Sequence, residues 1–199
     1  MTMHLSKLAA VVVFAVAVSA CTASGEKGNP TPAPQSPARS SGNDSASKLP
    51  TRPQAFKLDA VDSCKLLTAE QQKQIKIVGA EAVKLDLVEG QESPSCDFDG
   101  DSGFGYQVGT VTHKGVDYWL QGGGNVDAKV IKVDDFGAVE VKLKGGTGFD
   151  CSVAIDVADG QQLMVSYIPT TTKEKDQSVL CGKAEKAAAF ALATLKTLK

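Results

Sequence analysis

Histidine is nearly missing from this chain. Of its 199 residues two are His, His4 and His113, and His4 falls in a stretch that reads as a removable leader. One remaining histidine is too few for a multi-histidine metal site or for most pairings of a nucleophile with a base. No Gly-x-Ser-x-Gly elbow, phosphate-binding loop or His-Glu-x-x-His pair occurs, so the common hydrolase, nucleotide and metalloprotease signatures are absent. A basic excess is also lacking. With 21 Lys and Arg against 23 Asp and Glu, nothing in the charge favours nucleic acid. Past the first twenty residues no apolar run is long enough to span a bilayer. No two cysteines have the C-x-x-C spacing of a zinc knuckle or a thioredoxin-like centre, and no cofactor is expected.

What the chain does carry begins at its N-terminus. Lys7 leads into the apolar run Leu8 to Val18, which has the length of a signal-peptide core. Val18-Ser19-Ala20-Cys21 then reads as a lipobox, small residues standing directly before a cysteine. This predicts a signal peptide over 1–20 and a lipoprotein in which Cys21 becomes the acylated mature N-terminus. The expected partner is therefore the membrane, through a diacylglycerol anchor on its extracytoplasmic face. Two buried acyl chains hold durably where one would not, at roughly 0.8 kcal/mol per methylene.

From Cys21 to residue 55 the composition turns to Pro, Ser, Thr, Ala, Gly and Asn, with Pro30, Pro32, Pro34, Pro37, Pro50 and Pro53. Such a stretch buries too little to offset its ordering entropy and reads as a tether. Residues 56–199 suffice for one domain with one core. Within it Cys64, Cys96, Cys151 and Cys181 are an even set in a chain expected to leave the cytosol, so two disulfides are the default. Three connectivities are open. Sequential closure, Cys64–Cys96 with Cys151–Cys181, makes the smallest loops and is favoured by a small entropy margin.

Thr68 and Gln71 have capping-box spacing and predict a short helix fading by about Ile77. Strands are expected over 80–88, at Cys96 to Phe98, and over 104–112, 126–133, 138–143, 149–157 and 162–168, with a polar loop over 89–95. Turns are signalled at 100–103, 145–148 and Asp159-Gly160, while 117–121 has no clear assignment. The last segment changes period: Asp176 or Ser178 caps a helix whose Leu180, Ala184, Ala187, Ala188, Ala191, Leu192, Leu195 and Leu198 form an apolar stripe. The expected class is α+β, an antiparallel β-sheet packed against an N-terminal short helix and a C-terminal helix.

The order Asp62-x-Cys64-x-Leu66-Leu67-Thr68, Ser95-Cys96-Asp97-Phe98, Gly137-Ala138-Val139, Cys151-Ser152-Val153-x-Ile155-Asp156-Val157 and Cys181-x-x-Ala184 resembles an uncharacterised four-cysteine domain family of actinobacterial lipoproteins. The resemblance covers nearly the whole folded domain. Phe98 stands where that family often has Trp. It implies the location, the disulfides and the fold, and no activity. More loosely the domain is similar to extracellular sensor modules of actinobacterial receptor kinases, which implies binding rather than catalysis.

Two stretches invite a site. Asp97, Asp99 and Asp101 alternate like the start of a calcium loop, yet Ser102 replaces the required Gly and Val108 the bidentate Glu. Solvated aspartates around a turn are the simpler reading. Tyr118-Trp119-Leu120 before three glycines suggests an aromatic platform for a sugar or an anchor for a partner, against the plainer reading that Trp119 plugs an edge of the core. Taken together, a non-catalytic envelope domain that binds a protein, a glycan or a small amphiphile is expected. The alternatives are a carboxylate-dependent cell-wall hydrolase, which needs two carboxylates about 5–10 Å apart, and a lipid carrier, which needs a large apolar cavity.

Overall fold

The computed structural model describes residues 48–145 and 150–198. The signal peptide, Cys21, most of the tether, the turn residues 146–148 and the expected strand start at Phe149 lie outside the described residues.

Seven antiparallel strands form one sheet: β1 (Ile77–Val88), β2 (Gln91–Gly100), β3 (Phe104–Val111), β4 (Val126–Val133), β5 (Phe136–Leu143), β6 (Cys151–Ala158) and β7 (Gln161–Pro169). Their spatial order is β1-β2-β3-β7-β6-β5-β4. Two meanders therefore approach the centre from opposite edges, and β3 meets β7 there with Phe104 opposite Pro169 and Val111 opposite Gln162. The fold is α+β, as the change of period predicts.

Alternation decides what each face buries. Tyr106 and Val108 on β3, Val153 and Ile155 on β6, and Leu163, Val165 and Tyr167 on β7 point to one side. There α3 (Gln177–Leu195) lays Leu180, Ala184, Ala187, Ala188, Ala191 and Leu192 against them. Asp176 starts this helix by accepting a hydrogen bond from the Ser178 N–H at 2.9 Å. Leu198 follows the last turn and is exposed, because the stripe extends past where the helix stops. The opposite face holds a smaller cluster, Val111, Val116, Trp119, Val139, Val141, Ala154 and Met164.

α1 (Ala69–Gln74) carries the predicted capping box between Thr68 and Gln71. The same Gln71 ties α1 to α3, since its Nε2 donates to the Phe190 carbonyl at 3.1 Å and its Oε1 accepts from Thr194 Oγ1 at 3.0 Å. Both disulfides take the sequential pairing. Cys64–Cys96 joins a 3-10 turn at Ser63–Lys65 to β2, and Cys151–Cys181 joins β6 to α3, each with Cα atoms 5.0 Å apart.

The polar loop expected over 89–95 is instead a tight turn at Glu89-Gly90 followed by the first half of β2. Pro94 hid the strand, because a ladder normally rejects a residue without an N–H. Here β2 has only β1 beside it at that point, the pairing with β3 starting at Ser95. The Pro94 carbonyl is taken up by Ser63 Oγ at 2.9 Å and Thr110 Oγ1 at 3.1 Å.

The tether also ends earlier than composition suggests. Leu49 packs on the smaller cluster and Arg52 donates to both Asp156 and Asp159. Further on, the Phe56 N–H donates to the Val157 carbonyl at 2.7 Å and the Leu58 N–H to Gln161 Oε1 at 2.8 Å. Residues 49–58 thus wrap the hairpin end of β6 and β7. One arginine and one leucine outweigh the proline-rich context.

Candidate functional site

At the far end of β7 from that hairpin, the sheet and α3 part to leave an open cleft of about 520 Å³. Its floor is aromatic. Phe104 and Tyr106 share a face of β3, and Tyr167 comes from the paired strand β7. Their ring centroids lie 5.9 Å (Phe104–Tyr106), 5.7 Å (Phe104–Tyr167) and 5.1 Å (Tyr106–Tyr167) apart, spacings at which rings attract each other. Burial, with a smaller contribution from Tyr167, raises the pKa of the Tyr106 phenol, which therefore stays neutral across the physiological range.

The rim is cationic. Lys76 follows α1, Lys173 lies between β7 and α3, and Lys183 and Lys186 project from α3. Lys183 Nζ donates to Tyr167 Oη at 3.0 Å and stands 4.6 Å from the centroid of that ring, so a cation–π contact helps hold it over the floor. Lys186 Nζ lies 5.7 Å from the Phe190 ring. Among the described residues none of the four lysines has a carboxylate within ion-pair distance. The lining contains one acid, Glu174, and its Oε1 already accepts the Asp176 N–H at 2.9 Å.

Gly182 completes the rim from within α3. A glycine there costs the helix about 0.5–1 kcal/mol relative to alanine. Close packing does not explain it, since a Cβ at this position would meet nothing within 4 Å. Its effect is to leave space between Val179 and Lys186, its neighbours on the same helix face.

The residues singled out in the sequence lie elsewhere. Trp119 is buried, 7 % exposed, and its Nε1 donates to Gln162 Oε1 at 2.7 Å. The Nε2 of Gln162 donates in turn to the carbonyls of Lys114 and Gly115 at 3.0 and 3.1 Å. This bracket holds the otherwise unassigned 117–121 as the short helix α2 (Asp117–Leu120). The exposed aromatic platform is thereby corrected for Trp119, which plugs the smaller core, while Tyr118 is half-buried beside it with centroids 4.9 Å apart.

Asp97 and Asp99 sit on the face of β2 opposite Cys96 and Phe98, and Asp101 in the following turn accepts from Ser102 Oγ at 2.8 Å. Asp97 Oδ1 is buried without a hydrogen-bond partner among the described residues. The three do not converge: among the described residues the group with ligand atoms all within 4.8 Å is Glu140 with Cys151 and Cys181, whose sulfurs are bonded to each other. His113 Nε2 lies 2.9 Å from the Val88 carbonyl, just past the end of β3.

Sequence reading missed the cleft because its parts are scattered over residues 74–186 and none forms a motif. The usable signals were aromatics alternating on one strand, Phe104 and Tyr106, and a glycine inside an otherwise alanine-rich helix. No described helix is long and apolar enough to cross a membrane. A family model described as a protein of unknown function (DUF3558) matches residues 16–194. No curated protein and no solved structure matches the chain.

Proposed function

Since the chain belongs to this family of unknown function (DUF3558), whose description supplies no activity, we propose from the site itself that the protein is a non-catalytic binding domain of the cell envelope. Cys21 carries a lipid anchor on the outer side of the membrane, and the working surface is the cleft between β3, β7 and α3. The lipobox supports the location, and the family match begins upstream of Cys21.

One observation carries the binding reading: an aromatic floor under lysines that have no counterion. Lys183 is half-buried and held by the Tyr167 hydroxyl and ring, so an anion beside it would supply a charge complement where the ammonium is partly withdrawn from water. The cleft also has the size and mixed character usual for a small-molecule site. Its single acid, engaged with backbone, does not make the carboxylate pair that a glycoside hydrolase needs. Its openness, with α3 packed directly on β6 and β7, differs from the closed apolar cavity of a lipid carrier.

The test is ligand-dependent stability. Envelope extract is separated into glycan, amphiphile and peptide fractions, and the melting temperature of the full-length protein is measured in each, beside Gly182→Phe, which fills the cleft. At a hundredfold excess over Kd a ligand stabilises by about 2.7 kcal/mol. At least one fraction is expected to raise the wild-type melting temperature and leave the variant unmoved. No fraction distinguishing the two would overturn the reading.

A further inference from the structure

We infer that the cleft takes a small soluble amphiphilic anion, with its ring or short apolar body on Phe104, which the buried Tyr106 and Tyr167 back, and its phosphate or carboxylate head at Lys183 and Lys186. This rests on the binding reading above and gives it a ligand class.

Four features select that chemistry. The half-buried Phe104 offers an apolar ring surface backed by the buried Tyr106 and Tyr167, centroids 5.1–5.9 Å apart, and such a surface suits a flat or flexible apolar group. Lys183 and Lys186 stand together on α3 to one side of that floor, while Lys76 and Lys173 lie on other segments of the rim. A ligand must therefore be two-ended, apolar at one end and anionic at the other. Lys183 is already oriented by the Tyr167 hydroxyl and ring, so little side-chain freedom remains to be lost on binding. Gly182 then removes the side chain that would otherwise stand beside both ends.

The cleft lies away from the point where the described chain enters the domain, so a free ligand is the source to test first, against a bilayer headgroup. The described chain reaches the domain at the β6–β7 hairpin, whereas the cleft lies at the opposite end of β7, which has nine residues. At 3.2–3.4 Å per residue that is a separation of roughly 30 Å. An anchor upstream of Leu49 is attached at the end remote from the cleft.

The experiment uses the full-length acylated protein in nanodiscs of neutral phosphatidylcholine, with binding followed by titration calorimetry. The probes are 1-naphthyl phosphate, inorganic phosphate and 1-naphthol, with phosphatidylglycerol vesicles as the lipid source of the same chemistry. Naphthyl phosphate is expected to bind at least tenfold more tightly than phosphate or naphthol. The double substitution Lys183→Gln with Lys186→Gln should weaken it at least tenfold, and Arg at both positions should restore most of the affinity. Gly182→Phe should abolish binding; the double glutamine variant serves the same purpose on the protein's surface should the phenylalanine impair folding.

Equal binding by either half-probe, or an unchanged affinity in the double glutamine variant, would overturn the assignment. Preferential capture by phosphatidylglycerol vesicles would overturn the soluble source. A naphthyl phosphate that fails while a glycan or peptide fraction still protects wild type over Gly182→Phe removes the anion and leaves the binding domain standing. Failure of every fraction and every probe removes both.

Discussion

The two ends of the central strand β7 treat positive charge in opposite ways. At the hairpin end Arg52 is held between Asp156 and Asp159, its side chain and that of Asp156 both mostly buried. At the other end four lysines gather without a carboxylate partner among the described residues, and one of them leans on a tyrosine instead. The first arrangement is closed: its one cation is held by two carboxylates of the same chain. The second is open, three of its four lysines facing solvent. The difference separates an internally paired clamp from a solvent-facing cationic rim without reference to any motif.

The largest effect should come from unbracing the open end. Cys181 immediately precedes Gly182, and its bond to Cys151 pins the first turns of α3 to β6. Replacing both cysteines by alanine should cost about 2–4 kcal/mol in urea denaturation. It should also loosen the cleft wall, measured as faster amide exchange over 179–186. An unmoved midpoint would mean that the alanine-rich packing alone sets the helix position.

Next in size is the clamp. Arg52→Ala should destabilise by roughly 1–2 kcal/mol at neutral pH, because it leaves a mostly buried Asp156 carboxylate unpaired. Burial raises the Asp156 pKa, and Arg52 only partly offsets this. A carboxyl with a raised folded-state pKa is penalised as pH climbs from its unfolded value through the folded one. Without Arg52 that penalty grows, so the gap between variant and wild type should widen from acid to neutral pH and be smallest where the carboxyl is protonated. Ligand binding at the cleft should be unaffected, which keeps the two ends distinct.

Smaller, and of opposite sign, is Gly182→Ala. With no steric obstacle to a Cβ, it should stabilise by about 0.5–1 kcal/mol in thermal or urea unfolding. A destabilised variant would show that the glycine serves packing. Least of all, Lys173→Gln should change stability by less than about 0.5 kcal/mol while lowering affinity for an anionic probe, a split between folding and binding that the clamp cannot show.

Much of the architecture was legible because it rests on local rules. Period-two alternation at 104–110, the Thr68–Gln71 box and the stripe of α3 each act through near neighbours. Failures came where distant residues override local preference. Pro94 is admitted to β2 because Ser63 and Thr110 satisfy its carbonyl from elsewhere in the chain. The helix at Asp117–Leu120 depends on Gln162, a residue of β7. Arg52 orders a proline-rich segment through partners 104 and 107 residues away. The cleft was hidden for the same reason. Lys183 and Phe104 become neighbours of one cavity only after β3 and β7 pair, and no spacing rule links them.

The wrap of residues 49–58 around the β6–β7 hairpin also has a mechanical side. Any pull transmitted along the chain from upstream meets the packing of Leu49, then the Arg52 clamp, then the hydrogen bonds of Phe56 and Leu58 to Val157 and Gln161. Those attachments bear on the end of the sheet remote from Phe104 and Lys183. Strain entering there would thus be taken up before it reached the residues that line the cleft.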